Sequence, residues 1–206
     1  MDLSNGSHTT GSSPAKPSGV GIVLRPEEIQ QRVHELGETI ARDYRGRSPI
    51  LIGVLKGSIL FMADLVRAIE LPVRVDFMSI SSYGRAPHSG VVRILKDLEM
   101  SIEGEDVILV EDIIDTGLTL TYLLATLSAR RPASLEVCGL LDKSARRIVE
   151  VPIRYKGFDI PDEFVIGYGL DHEGRYRNLR AVIGIRDMAA LRDPELVARA
   201  LESAGA

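Results

Sequence analysis

The sequence predicts an α/β fold with a mostly parallel twisted sheet flanked by helices. Three observations lead there. Short runs of branched apolar residues are interleaved with stretches of helical periodicity. Two of those runs, Ile50 to Leu55 and Val107 to Val110, pass straight into a small-residue turn that opens a helix, which is the strand, turn, helix unit from which parallel sheets are built. The 206 residues are enough for one substantial core and too few for two ordinary domains.

Taken in order, residues 1–21 begin rich in Ser, Gly, Thr and Pro and are expected to be a disordered tail, with the folded domain spanning 22–206. Pro26 followed by Glu27 and Glu28 starts a helix in which Ile29, Val33, Leu36 and Ile40 recur at helical spacing until Arg45-Gly46-Arg47. Ile50 to Leu55 reads as a buried strand and Lys56-Gly57-Ser58 as a turn. Ile59 to Ile69 follows as a helix with Leu60, Ala63, Leu65 and Val66 on its apolar side. Val73 to Ser81 alternates as a strand entered through Pro72. Ser82 to Gly90 is small, polar and rich in Gly and Pro, which makes it a candidate mobile arm or lid before a strand over Val91 to Leu95. The second unit covers Val107 to Thr119, with its helix from about Leu118 to Ala129. Leu135 to Leu141 makes a strand ending at Asp142-Lys143, shorter strands lie near Phe164 to Tyr168 and Ala181 to Ile185, and a last helix spans about Pro194 to Glu202.

Composition narrows the functional classes. A net charge of −4 leaves no basic excess for a nucleic-acid backbone, so any anion site must be local. Cys138 is the sole cysteine, so it forms neither an internal disulfide nor a cysteine metal cluster, and its apolar surroundings mark a buried thiol. No apolar segment reaches the ~18 residues of a membrane span. With no basic-then-apolar signal pattern at the N-terminus, a cytoplasmic protein without nucleic-acid or membrane partners is expected.

The chemistry concentrates where Val107 to Val110 run into Glu111 and Asp112, followed by the turn Asp115-Thr116-Gly117-Leu118-Thr119. The carboxylates are expected at the carboxyl end of a buried strand, where open α/β sheets bind ligands. The turn offers backbone N–H groups, two hydroxyls and a helix N-terminus to a phosphate. Neighbouring carboxylates suit ribose hydroxyls or a magnesium ion. A merely solubilising acidic loop would need neither the glycine nor the hydroxyls. A phosphoaspartyl phosphatase spaces its aspartates two apart, whereas Asp112 and Asp115 are three apart; a Walker loop is missing, and Gly167 to His172 fails the dinucleotide pattern at its third glycine.

This stretch resembles the phosphoribosyl pyrophosphate signature of the type I phosphoribosyltransferases. Four further motifs, Val54-Leu55-Lys56-Gly57, Ser82-Tyr83-Gly84, Lys143, and Phe164 to Asp171 followed by Arg177, make the chain similar to the hypoxanthine-guanine branch over roughly residues 22–187. The resemblance implies the type I phosphoribosyltransferase fold, with a flexible arm and a small C-terminal hood over the base. It also implies transfer of a phosphoribosyl group from phosphoribosyl pyrophosphate to hypoxanthine or guanine, releasing pyrophosphate, with Mg2+ as cofactor and a homodimer or homotetramer as the assembly.

Roles follow from the same resemblance. Asp115 is the expected catalytic group at the purine N7 proton. Lys56, Gly57, Ser82, Tyr83, Glu111, Asp112, Asp115 to Thr119 and Arg177 are expected at phosphoribosyl pyrophosphate; Lys143, Phe164, Val165 and Leu170 at the purine; Glu111, Asp112 and Asp171 at the metal. Alone, Lys143 reads as a surface lysine, Phe164 as core and Lys56-Gly57 as a solvated strand end. In the family the Leu-Lys peptide matching Leu55-Lys56 can be cis. One departure is Leu118, where many members carry lysine, so phosphate binding here must lean on amides and hydroxyls. Two alternatives stay open: a non-catalytic regulator that senses phosphoribosyl pyrophosphate, and a xanthine-preferring enzyme.

Overall fold

A computed structural model describes residues 19–83, 91–192 and 194–203. The strands are β1 (Val20–Leu24), β2 (Ile50–Leu55), β3 (Arg74–Tyr83), β4 (Val91–Lys96), β5 (Asp106–Ile114), β6 (Ser134–Asp142), β7 (Tyr155–Asp159), β8 (Phe164–Ile166) and β9 (Val182–Ile185). The helices are α1 (Pro26–Asp43), α2 (Ile59–Ala68), α3 (Leu118–Ser128) and α4 (Pro194–Ser203). Six strands form the main sheet in the order β4-β3-β2-β5-β6-β7, parallel throughout except for β4, which pairs antiparallel with β3. The strand order reverses around β2 and β5, and that is where such sheets open a crevice for ligands.

Alternation along the central strands sorts the core into two faces. Leu51, Ile108, Val110, Cys138 and Leu140 pack with α1 and α2 on one side. Ile50, Ile52, Val107, Leu109 and Val137 pack with α3 on the other. Both faces of β2 and β5 are therefore covered, and this is why their sequences read as unbroken apolar runs. The two helices on the first face approach closely at Gly37, where a Cβ would fall 2.5 Å from the Ala68 carbonyl oxygen. Arg32 of α1 reaches over the sheet edge to donate to the Lys156 and Gly157 carbonyls of β7 at 2.7 and 3.1 Å, blunting an edge that would otherwise offer free acceptors.

A second, antiparallel sheet, β1-β9-β8, forms the hood with a small core of its own built on Val20, Ile166, Ile183, Ile185 and Val197. Two expectations change here. Strand structure begins at Val20 and not after residue 21: Val20 is buried and pairs with Ile185. The hood is also not purely C-terminal, because β1 supplies one of its three strands. The Gly19 to Leu24 stretch adjoins tail-like composition, and only its partner β9, some 160 residues away, makes it a strand. The sequence reading also passed over β7, whose Tyr-Lys-Gly-Phe-Asp composition is that of an edge strand. Conversely, β5 runs on through Glu111 and Asp112 to Ile114, so the carboxylates lie within its last turn of pleat. The expected tail falls almost wholly outside the described residues. So does most of the arm, residues 84–90; Ser82 and Tyr83 close β3, paired with Val92 and Val91. Among the described residues no helix is long and apolar enough to cross a membrane.

The contact at Gly37 is testable. Gly37→Ala gains helix propensity but drives a methyl into the backbone of α2, so a net loss of about 1–2 kcal/mol is expected. A thermal melt should show a Tm lower by roughly 3–8 °C.

Candidate active site

The carboxyl ends of β2, β3, β5 and β6 and the underside of the hood enclose a cavity of about 500 Å³. A smaller recess of about 150 Å³ adjoins it, lined by Asp115, Thr116, Gly117 and Thr119. The two share Glu111, Ile113 and Asp115, so a ligand with a phosphate at one end and a ring at the other has one continuous path.

The recess is built by the turn after β5. Gly117 has φ +84°, and a Cβ there would fall 2.3 Å from the Val149 oxygen, so both conformation and space call for glycine. Thr116 O accepts from the Ile148 and Val149 amides at 2.9 and 3.1 Å, clamping the turn to the following loop. Helix α3 begins at once, leaving first-turn amides pointed at the recess. Leu118 is exposed and adds no charge.

On the opposite wall, β2 ends in a cis Leu55-Lys56 peptide and the turn that starts α2. Ser58, fully buried, donates to the Val54 carbonyl at 2.6 Å. Gly57 packs so tightly on the end of β5 that a Cβ would stand 1.7 Å from Asp112 Oδ2. Burial drives the carboxyls upward: Glu111 is pushed well above the usual range, with the Asp112 charge adding to the effect. Asp112 rises to about 6, opposed by hydrogen bonds from the Ile113 and its own amide and by Arg177.

The end of the cavity beneath the hood combines parts from three elements. Lys143, directly after β6, is buried, makes no ion pair among the described residues, and has its pKa lowered by that burial while Asp115 opposes the shift. Phe164, at the head of β8, leaves over a third of its surface bare and meets the His172 ring edge-on at 5.7 Å. Val165 and Leu170 are buried beside it. Asp115 lines both the cavity and the recess. Its Oδ2 lies 3.3 Å from Arg146 Nη1, and its Oδ1 is buried without a hydrogen-bond partner among the described residues.

Of the expected metal set, Asp112 and Asp171 lie close enough to repel, but no group of three metal-ligating side chains comes together among the described residues. Asp171 accepts from the Gly174 amide at 2.7 Å and pairs with Arg177 Nη2 at 2.6 Å. Arg146 belongs to the cavity and was missed from sequence. It stands three residues past Lys143 in the 3-10 turn Ser144–Arg146, whose threefold repeat puts both on one side.

Residues 20–173 match the family model of the phosphoribosyl transferase domain. The hypoxanthine-guanine phosphoribosyltransferase of Mycobacterium avium is 50% identical over 188 residues, covering 85% of this chain and 92% of that one. The chain belongs to the hypoxanthine-guanine phosphoribosyltransferase family. A crystal structure of a hypoxanthine-guanine phosphoribosyltransferase from Bacillus anthracis superimposes with a TM-score of 0.77 at 45% identity, covering 80% of this chain and 97% of that one. A hypoxanthine phosphoribosyl transferase of Trypanosoma cruzi, studied for the effect of its C-terminal region on oligomeric state and activity, gives 0.77 at 45% identity, covering 86% and 93%. Membership of this family gives the chain's fold and the reaction class of its site.

The buried carboxyls yield a pH prediction. Burial pushes the folded-state Asp112 carboxyl up to about 6, against about 3.9 unfolded, so its burden on stability is absent below about pH 4, grows as pH rises from about 4 to about 6, and is full above that. Asp112→Asn should therefore stabilise the ligand-free protein by about 1–3 kcal/mol above about pH 7 and by nothing near pH 4. Denaturant titrations at the two pH values check it.

Proposed function

We propose that this site carries out purine salvage, moving the phosphoribosyl group of phosphoribosyl pyrophosphate onto hypoxanthine or guanine. The observation that carries the detailed mechanism is the buried Oδ1 of Asp115. An acceptor left unpaired in the interior costs about 1–3 kcal/mol. Asp115 lines the same cavity as Phe164 and Lys143, which supports a purine held by those two residues giving its N7 proton to this oxygen.

The ribose 5-phosphate sits in the Asp115–Thr119 turn, held by amides and hydroxyls. The purine lies against the bare face of Phe164, and Lys143 donates to its six-oxo group. As the purine N9 lone pair forms a bond to the anomeric carbon, the bond from that carbon to the pyrophosphate oxygen breaks and the pair leaves with pyrophosphate. The N7 proton passes to Asp115. Lys56, the Gly57 amide and Arg177 face the departing charge.

Asp171, with oxygens of the substrates, would hold a magnesium ion whose charge offsets that of pyrophosphate; one carboxylate plus phosphates is an ordinary donor set for this ion. Glu111 and Asp112 then serve the ribose hydroxyls, a role that suits groups whose burial disfavours charge. Ser82 and Tyr83, which follow the cavity-lining Ile80 at the end of β3, help to exclude water. The buried free thiol of Cys138 fits a cytoplasmic setting, and a homodimer or homotetramer is the proposed assembly.

Two variants test the assignment. Asp115→Asn keeps the turn but cannot take a proton, so kcat should fall roughly 10²–10⁴-fold with little change in the KM for phosphoribosyl pyrophosphate. Loss of binding with kcat preserved would make Asp115 a structural residue of the loop. Lys143→Gln should raise the KM for hypoxanthine and guanine roughly 10-fold or more while leaving phosphoribosyl pyrophosphate binding nearly intact, and equal losses for both substrates would remove Lys143 from the base site.

A further inference from the structure

The turn after β8 holds an unusual conformation. Gly167, Tyr168 and Gly169 have φ values of +94°, +47° and +99°, so a residue bearing a Cβ occupies the left-handed region between two glycines. Glycine would be the default there too. The tyrosine is buried, and its hydroxyl donates to Asp64 Oδ2 at 2.7 Å. Asp64 lies on α2 and also accepts from Gln30 of α1 at 2.8 Å and from Arg67. The acceptor is thus anchored by both helices before Tyr168 reaches it.

The bond lies behind the cavity, in a neighbouring recess that both residues line, and ties the hood turn to α2. Tyr168 stands between Val165 and Leu170, which line the base end, while Asp64 stands on the helix that starts directly after Lys56-Gly57-Ser58. Its neighbour Gly169 rests on that same loop, where a Cβ would fall 2.0 Å from Gly57 O. Gly169 also donates its amide to Arg177 O at 2.9 Å and accepts from Arg177 Nη1 at 2.6 Å. The two glycines meet without side chains, and the Tyr168 hydroxyl adds a directional tie from the hood turn to α2, the helix that this loop starts.

Resting on the reading of these halves as purine and pyrophosphate sites, we propose that Tyr168, through Asp64, is a positioning residue that couples them. Filling the pyrophosphate site stiffens the loop and α2, and Tyr168 carries that order to the turn behind the base, so the second ligand loses less freedom on binding.

Tyr168→Phe keeps the ring and removes only the hydroxyl. Calorimetric titration of hypoxanthine, with and without saturating pyrophosphate and magnesium, reads the coupling directly because this pair of ligands cannot react. The wild-type protein should bind hypoxanthine roughly 5- to 150-fold more tightly with pyrophosphate present. In Tyr168→Phe the ratio should fall to within about twofold of one. If that variant does not fold, Asp64→Ala removes the same bond from its other end and should lose the ratio equally. A role in stability alone would lower Tm and leave the ratio at its wild-type value, which overturns the proposal, as does a wild-type ratio of one. Turnover of hypoxanthine by the wild-type protein separates the two layers: activity with unchanged coupling in the variant defeats only this inference, and absence of activity defeats the site reading beneath it.

Discussion

Two carboxylates buried at the end of a central strand are the constraint around which this protein is arranged. A carboxyl taken out of water resists ionisation, and Glu111 and Asp112 both show the upward shift that follows. Strands covered on both faces force that burial, since β5 cannot turn aside before Ile114 without breaking its pairing with β6. The cost is tolerable because backbone amides and Arg177 face Asp112, and because the site is expected to meet hydroxyl groups and a cation when it works.

Close backbone approaches do the rest of the assembly. Gly57 admits the Asp112 carboxylate, Gly117 admits the Val149 carbonyl, and Gly169 admits the Gly57 carbonyl. Each removes a side chain where a wall of the cavity meets another wall. The result is a site whose polar groups converge from three strand ends and the hood with no disulfide between them. Arg177 illustrates the economy of this design. One guanidinium binds Asp171 and the Gly169 carbonyl, joins the hood turn to itself, and still lines the cavity.

The recess after β5 has no cationic side chain among its described lining residues. Leu118 adds no charge, and the turn is made of its left-handed glycine, its clamp from Ile148 and Val149, and the start of α3, where the Leu118 amide donates to Thr116 Oγ1 at 3.4 Å. Positive potential then comes from the helix terminus and oriented N–H groups, which act over the short range a bound phosphate requires.

Local sequence determined the central strands and the two strand-turn-helix units, because each is specified by neighbours within about ten residues: apolar runs, a glycine turn, a capping proline. It determined the phosphate turn for the same reason. Tertiary structure decided what depends on distant partners. β1 is a strand only beside β9, β7 only beside β6 under Arg32, and Phe164 is a bared face and not core only because the hood holds it over the cavity. The surroundings of the three carboxylates that the resemblance implies at a metal are likewise set by distant partners: Asp171 pairs with Arg177, and Glu111 is buried at the end of β5. Charge, burial and pairing are set by whatever packs against a side chain, and a motif does not contain that information.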